Sequence, residues 1–324
     1  MRRTARALGW FSLAVAVSVA IAPPVQAFSP EILESVVAVL PEWPGFARGR
    51  GPTGRYGEAP EGSAVAVRPG GYLATNLHVL ARARKVTVRL DDGRLIPAEI
   101  VGSDSATDIA MLKVALDLPV LPIGPEPALA ERACVVGNPF GLGLSVTCGV
   151  VSAVHRTGTG FNTIEDFVQT DAVVNPGASG GALVDSEGRL IGMVSAIFTK
   201  GTDANIGVNF AASTALVLRV VDDLIRHGRV LRARAGFRVR GLDDAERREH
   251  SGVRVTAVSP GSAAERAGVE PGDLVTAVGA RRIVKPSDLT SAVQLHRPGD
   301  RIDVHLMRGD VARIVPVELD GPRP

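Results

Sequence analysis

Between residues 63 and 210 the chain is cut into eleven short runs rich in β-branched and apolar residues, at 63–67, 72–74, 85–90, 95–101, 109–114, 134–137, 145–154, 166–169, 182–184, 190–197 and 206–210. The segments between them carry Gly, Pro, Asn or Asp. Runs this short bury a face more readily as strands than as helices, and so many in succession specify an all-β domain, a sandwich or a barrel. A helical period appears only afterwards. Val217, Val220, Val221 and Leu224 recur at i, i+3, i+4 and i+7, behind Ser213-Thr214 and ahead of Gly228, which are capping residue types. That helix closes the domain.

Inside the β-rich region lies Asn175-Pro176-Gly177-Ala178-Ser179-Gly180-Gly181. Glycines on both sides of Ser179 let a substrate carbonyl approach its hydroxyl while main-chain N–H groups point at the carbonyl oxygen, as acyl transfer requires. A plain loop between strands is the competing reading of so short a motif. In an α/β-hydrolase the serine would open a helix, with acid and histidine downstream. Here two short apolar runs around Asp185-Ser186-Glu187-Gly188 follow it, a β-hairpin pattern. The acid and base candidates lie upstream. His78 sits in Ala74-Thr75-Asn76-Leu77-His78-Val79 among apolar neighbours, while His155, His227, His250, His296 and His305 read as surface residues. Asp108 stands at the entrance of the run 109–114, where capping that strand is its alternative role. The order His, Asp, Ser is the chymotrypsin-type arrangement.

A length of 324 residues allows about two domains of roughly 150. Residues 1–27 stand apart: Arg2, Arg3 and Arg6 head an apolar stretch, and Val25-Gln26-Ala27 fits a cleavage site. This is the pattern of a secretory signal peptide, with an uncleaved membrane anchor as the alternative. Without it, 33 basic residues face 34 acidic ones, so the chain has no electrostatic footprint for nucleic acid. Cys134 and Cys148 flank the turn 138–141. Two readings stand for them: a disulfide across two strands of an exported protein, or two small buried hydrophobes. Neither has a second Cys or a His at metal-ligand spacing, so no metal is expected.

Taken together, Thr75-Asn76-Leu77-His78-Val79, Thr107-Asp108-Ile109-Ala110 and Gln169-Thr170-Asp171-Ala172 through Gly181 resemble the histidine, aspartate and serine motifs of the HtrA (Deg) serine proteases. Gly137-Asn138-Pro139-Phe140-Gly141 and Gly149-Val150-Val151-Ser152 fit as well. The resemblance implies a mainly β fold, with a chymotrypsin-like double β-barrel over 28–228 and a C-terminal α/β PDZ domain over 229–324. It implies His78, Asp108 and Ser179 as the catalytic triad, the N–H groups of Gly177 and Ser179 as the oxyanion hole, and no cofactor. Ala178 stands where the family usually has Asn. By the same resemblance Val173, six residues before Ser179, lies at the base of the S1 pocket and Val194 at its rim, where the family usually has Asn. No carboxylate is there to pair with Lys or Arg, so cleavage is expected after small or medium apolar residues.

The C-terminal pieces Ser259-Pro260-Gly261-Ser262, the run 263–268 and Pro271-Gly272-Asp273 are similar to those of a permuted PDZ domain. This implies that a peptide C-terminus adds a strand beside Phe237, Arg238 and Val239, with its last side chain between that strand and Leu289 and Val293 on a helix at 287–295. Arg238 replaces a usual Gly, and Leu289 and Val293 read equally well as core. The stretch 41–62 reads as a surface loop. The resemblance also implies a periplasmic homotrimer with Phe28 and Phe161 at its contacts, acting on unfolded polypeptides. A peptide-binding or chaperone protein with a latent protease domain is the alternative.

Overall fold

A computed structural model describes residues 29–43, 61–197 and 206–322; residues 1–27, read above as a signal peptide, and Phe28 lie outside them. The β-prone runs form two closed six-stranded barrels. The first is built from β1 (Val36–Glu42), β2 (Gly62–Arg68), β3 (Tyr72–Asn76), β4 (Lys85–Arg89), β5 (Leu95–Asp104) and β6 (Ile109–Val114), in the ring order β1-β2-β3-β6-β5-β4. The second is built from β7 (Arg132–Gly137), β8 (Ser145–Arg156), β9 (Phe167–Thr170), β10 (Ala182–Val184), β11 (Leu190–Ile197) and β12 (Asn209–Ser213). Its order, β10-β11-β12-β9-β8-β7, repeats the connectivity of the first. Closure leaves neither sheet an open edge.

The structure corrects the sequence reading at three places. Strand β1 runs through Pro41, which pairs with Val86, so positions 41 and 42 of the expected loop at 41–62 are strand, as Gly62 is; 44–60 lie outside the described residues. Six of its seven residues are buried, and a run buried on both faces shows no alternation to reveal it. Strand β12 starts at Asn209 rather than 206, because the buried Asn209 amide donates to the carbonyls of Thr170 and Ala172 and is thereby accommodated inside the sheet. The third correction concerns His155 and is described with the site.

Each barrel has its own apolar filling, Val37, Val39, Leu73 and Leu112 in the first and Val135, Leu183, Ile191 and Ala211 in the second. A third cluster lies between them. It joins Val65 and Met111 to Phe167, Met193 and Phe210, and takes in Val217, Val220, Val221 and Leu224 of the closing helix. A four-residue helix α1 (Leu77–Leu80) carries His78, and the closing helix is α2 (Thr214–His227). The Ser213 hydroxyl caps its start by accepting from Leu216 N–H, and Gly228, at φ +66°, ends it in the left-handed conformation.

The remainder is a sheet of β13 (Phe237–Gly241), β14 (Val253–Val258), β15 (Leu274–Val278), β16 (Arg281–Arg282), β17 (Arg301–Arg308) and β18 (Val311–Glu318), ordered β13-β14-β15-β17-β18 with β16 paired to β15. Short helices α3 (Glu246–Glu249) and α4 (Ala263–Arg266) and the longer α5 (Pro286–Gln294) complete it. Strand β13 is an edge, bonded only to β14 among the described strands.

Candidate active site

The site grows from the ends of β3 and β6. Asp108 precedes β6 at φ +57°, and its carbonyl accepts from Leu77 N–H at 2.9 Å and from the Asn76 amide at 3.2 Å. The carboxylate is thereby aimed at α1. Oδ1 accepts the main-chain N–H of His78 at 2.9 Å, and Oδ2 lies 2.6 Å from His78 Nδ1. An ionised carboxylate accepts only, so Nδ1 holds its proton toward Asp108 and Nε2 is left with its lone pair. That is the tautomer a general base needs.

The segment 175–181 folds as a tight turn against the first barrel. Asn76 reaches Ser195 of β11 at 3.4 Å, and a side chain at Gly180, whose φ is +85°, would overlap the Ser63 carbonyl and crowd the Thr75 hydroxyl. Three residues before His78, Thr75 is thus in contact with the residue after Ser179. Gly177, at φ +97°, is closed to other residues by the Asn138 carbonyl.

Within the turn the carbonyls of residues 175–179 are all occupied. Pro176 C=O accepts from Phe140 N–H at 2.7 Å and Ala178 C=O from Gly181 N–H at 2.9 Å. In a trans peptide the next N–H points the opposite way, and the N–H groups of Gly177 and Ser179 have no acceptor among the described residues. Both are free to meet a substrate oxygen. Val173 is 47 % exposed, its carbonyl accepting from the Thr147 hydroxyl, whereas Val194 is buried, with its N–H and C=O bonded to Gly181 and Gly180. Cys134 and Cys148 face each other in the β7–β8 register and are joined as a disulfide.

On the C-terminal sheet, Phe237 and Val239 are half-buried and pack on a core that contains Leu289 and Val293, while Arg238 is exposed. Phe161, 41 % exposed, sets its ring against Phe210. Among the described residues no group of His, Cys, Asp and Glu could hold a metal, and no helix is long and apolar enough to cross a membrane.

Several functional candidates escaped the sequence reading. His155, expected at the surface, sits half-buried at φ +53°, hydrogen-bonded to Glu126 and to the Asp166 oxygen that also pairs with Arg281 of the C-terminal sheet. The Asp166 bond holds its pKa above the ordinary value against the opposing effect of burial. Burial works to raise the Asp166 carboxyl, but hydrogen bonds from His155 and Ser213 and the Arg281 charge hold it below the usual range. Thr157 donates to Asp288 at the start of α5 and accepts from Lys285 Nζ through its carbonyl. Histidine in a polar stretch gave no local signal for any of this.

Comparison with known proteins follows these two halves. A trypsin-like peptidase domain matches residues 62–193 and a PDZ domain matches 233–319. Serine endoprotease DegS of Escherichia coli (strain K12) is 37 % identical over 265 residues, covering 77 % of this chain and 73 % of DegS. A probable periplasmic serine endoprotease, DegP-like, of Chlamydia pneumoniae is 37 % identical over 81 % of this chain and 55 % of its own length. The chain thus spans about half the length of the DegP-like relatives it matches. Among solved structures, the HtrA-type protease AlgW with tripeptide aligns with a TM-score of 0.68 at 36 % identity, over 90 % of this chain and 95 % of that one. The chain therefore belongs to the HtrA (Deg) family of serine endoproteases, with one trypsin-like peptidase domain followed by one PDZ domain.

Proposed function

We propose that this protein is an exported serine endopeptidase that cuts unfolded polypeptides after small or medium apolar residues. The observation that carries the reading is the double grip of Asp108 on His78, together with N–H groups at Gly177 and Ser179 that have no acceptor among the described residues. Ser179 Oγ attacks the scissile carbonyl as His78 Nε2 takes its proton; the developing oxyanion meets the Gly177 and Ser179 N–H groups; His78 then hands the proton to the leaving amine. Water repeats the sequence to release the acyl group. Asp108 fixes the tautomer and stabilises the imidazolium, and each hole donor contributes about 2.7–4 kcal/mol.

The apolar Val173 and Val194 supply no charge for a basic P1 residue. Export to the periplasm rests on the pattern of residues 1–27 and on the names of the relatives. A homotrimer is proposed from the family resemblance alone, with the exposed Phe161 at its contacts. Strand β13 offers an open edge on which a peptide C-terminus can add a strand, its carboxylate near Arg238 and its last side chain toward Leu289 and Val293. The test is digestion of unfolded casein by the mature protein beside Ser179→Ala, with P1 residues mapped. Cleavage by the first alone, after Val, Ala or Leu, supports the proposal. A preference for Arg at P1 overturns the specificity, and no cleavage by either, even with C-terminal peptides added, favours a binding protein with a latent protease domain.

A further inference from the structure

Ser63, at the start of the first barrel's β2, has no exposed surface, bonds twice to the turn of Ser179 and once to Asn138. Its main-chain N–H donates to Ser179 C=O at 2.8 Å. Its hydroxyl donates to Gly177 C=O at 2.8 Å and accepts from Asn138 N–H at 2.9 Å. Because the Asn138 N–H occupies a lone pair of the oxygen, the hydroxyl proton has one outlet, the Gly177 carbonyl. Ser63 is itself held by Thr75, whose hydroxyl donates to the Ser63 carbonyl at 2.7 Å. The burial of Ser63 keeps water from substituting for any of these bonds.

A glycine at φ +97° sets neither of its dihedrals by its own sterics. The peptide before Gly177 is oriented by Phe140 N–H and the peptide after it by the Ser63 hydroxyl, so the direction of the Gly177 N–H depends on both. We propose that Ser63 is a positioning residue of the protease: its hydroxyl locks Gly177 with its N–H in the oxyanion hole, while its main-chain N–H anchors the other hole residue, Ser179. The proposal rests on Ser179 being the nucleophile. Ser63 never touches substrate; it acts through the donors it orients.

The experiment compares wild type, Ser179→Ala, Ser63→Ala and Ser63→Cys on a chromogenic peptide with Val at P1. In Ser63→Ala, kcat falls about 10- to 100-fold, short of the 10²–10³ for outright loss of a hole donor, while KM stays within about twofold. A peptide boronic acid, which presents a tetrahedral oxyanion, weakens in parallel with kcat/KM, and the cleaved product peptide binds as before. The shape of the pH–rate profile does not change, since the Asp108–His78 contact is untouched. Ser63→Cys, a weak donor of similar shape, falls between the two and decides the matter if Ser63→Ala does not fold.

Cleavage by wild type, none by Ser179→Ala and wild-type kcat in the folded Ser63 variants overturn the role of Ser63 alone. A loss confined to KM, or matched by the unfolded fraction, overturns it as well. Failure of wild type to cleave removes the nucleophile reading and this inference together.

Discussion

Asp166 and Arg281 lie 2.7 Å apart across the joint between the second barrel and the PDZ sheet, the carboxylate 1 % and the guanidinium 11 % exposed. Asp166 also accepts from the Ser213 hydroxyl that caps α2, so one carboxylate ties the closing helix, the β8–β9 connection and the PDZ domain together. Asp166→Ala leaves a guanidinium buried without its partner. We expect a loss of about 3–5 kcal/mol in urea unfolding, accompanied by earlier proteolytic release of the C-terminal domain.

The same joint responds to pH. His155 faces Asp166, Glu126 and Arg281, and its pKa is raised from the ordinary 6.5. A raised folded-state value means that its stabilisation is complete below 6.5 and is lost as pH rises through the higher value. The lowered Asp166 value acts in the opposite sense, its contribution being lost on acidification from 3.8 downward. Thermal melts should therefore fall from pH 6 to pH 8, and His155→Gln should flatten that slope. A slope unchanged by the substitution rules out His155 as its source.

Asp108→Asn tests the tautomer argument. The amide oxygen accepts the fixed His78 main-chain N–H, so the NH₂ group faces Nδ1, which must then accept, and the imidazole proton moves to Nε2. A drop in kcat of about 10⁴-fold is expected with folding intact, read from steady-state kinetics and circular dichroism.

Cys134 and Cys148 close a loop with a sequence separation of 14, between positions already paired in the β7–β8 ladder. Chain entropy sets the benefit at no more than about 3 kcal/mol. Cys134→Ala/Cys148→Ala should melt lower by an amount within that bound and match the reduced wild type.

Arg238 projects from the open edge of the PDZ sheet. If it meets the ligand carboxylate, Arg238→Glu weakens a C-terminal peptide at least fivefold in calorimetry, while the amidated peptide, lacking that charge, is unaffected.

Legibility followed the range of the interactions. The strands and α2 were readable because periodicity and capping are local, and the residues His78, Asp108 and Ser179 stood out because each sits in a short motif. What the sequence hid is made of distant partners: Ser63 meets Gly177 across 114 positions, Asp166 meets Arg281 across the domain joint, and Thr157 meets Asp288 across 131. Serine after glycine in a strand, or histidine before arginine, looks ordinary until the fold supplies its neighbour. β1 was missed for a different reason, since a strand buried on both faces carries no alternating signature.

The turn bearing Ser179 belongs by sequence to the second barrel, yet two of its carbonyls are held by a residue of the first. If Ser179 is the nucleophile, catalytic competence is a property of the seam and of neither half alone. Stress that parts the barrels while both are still folded would then stop hydrolysis before a spectroscopic melt begins.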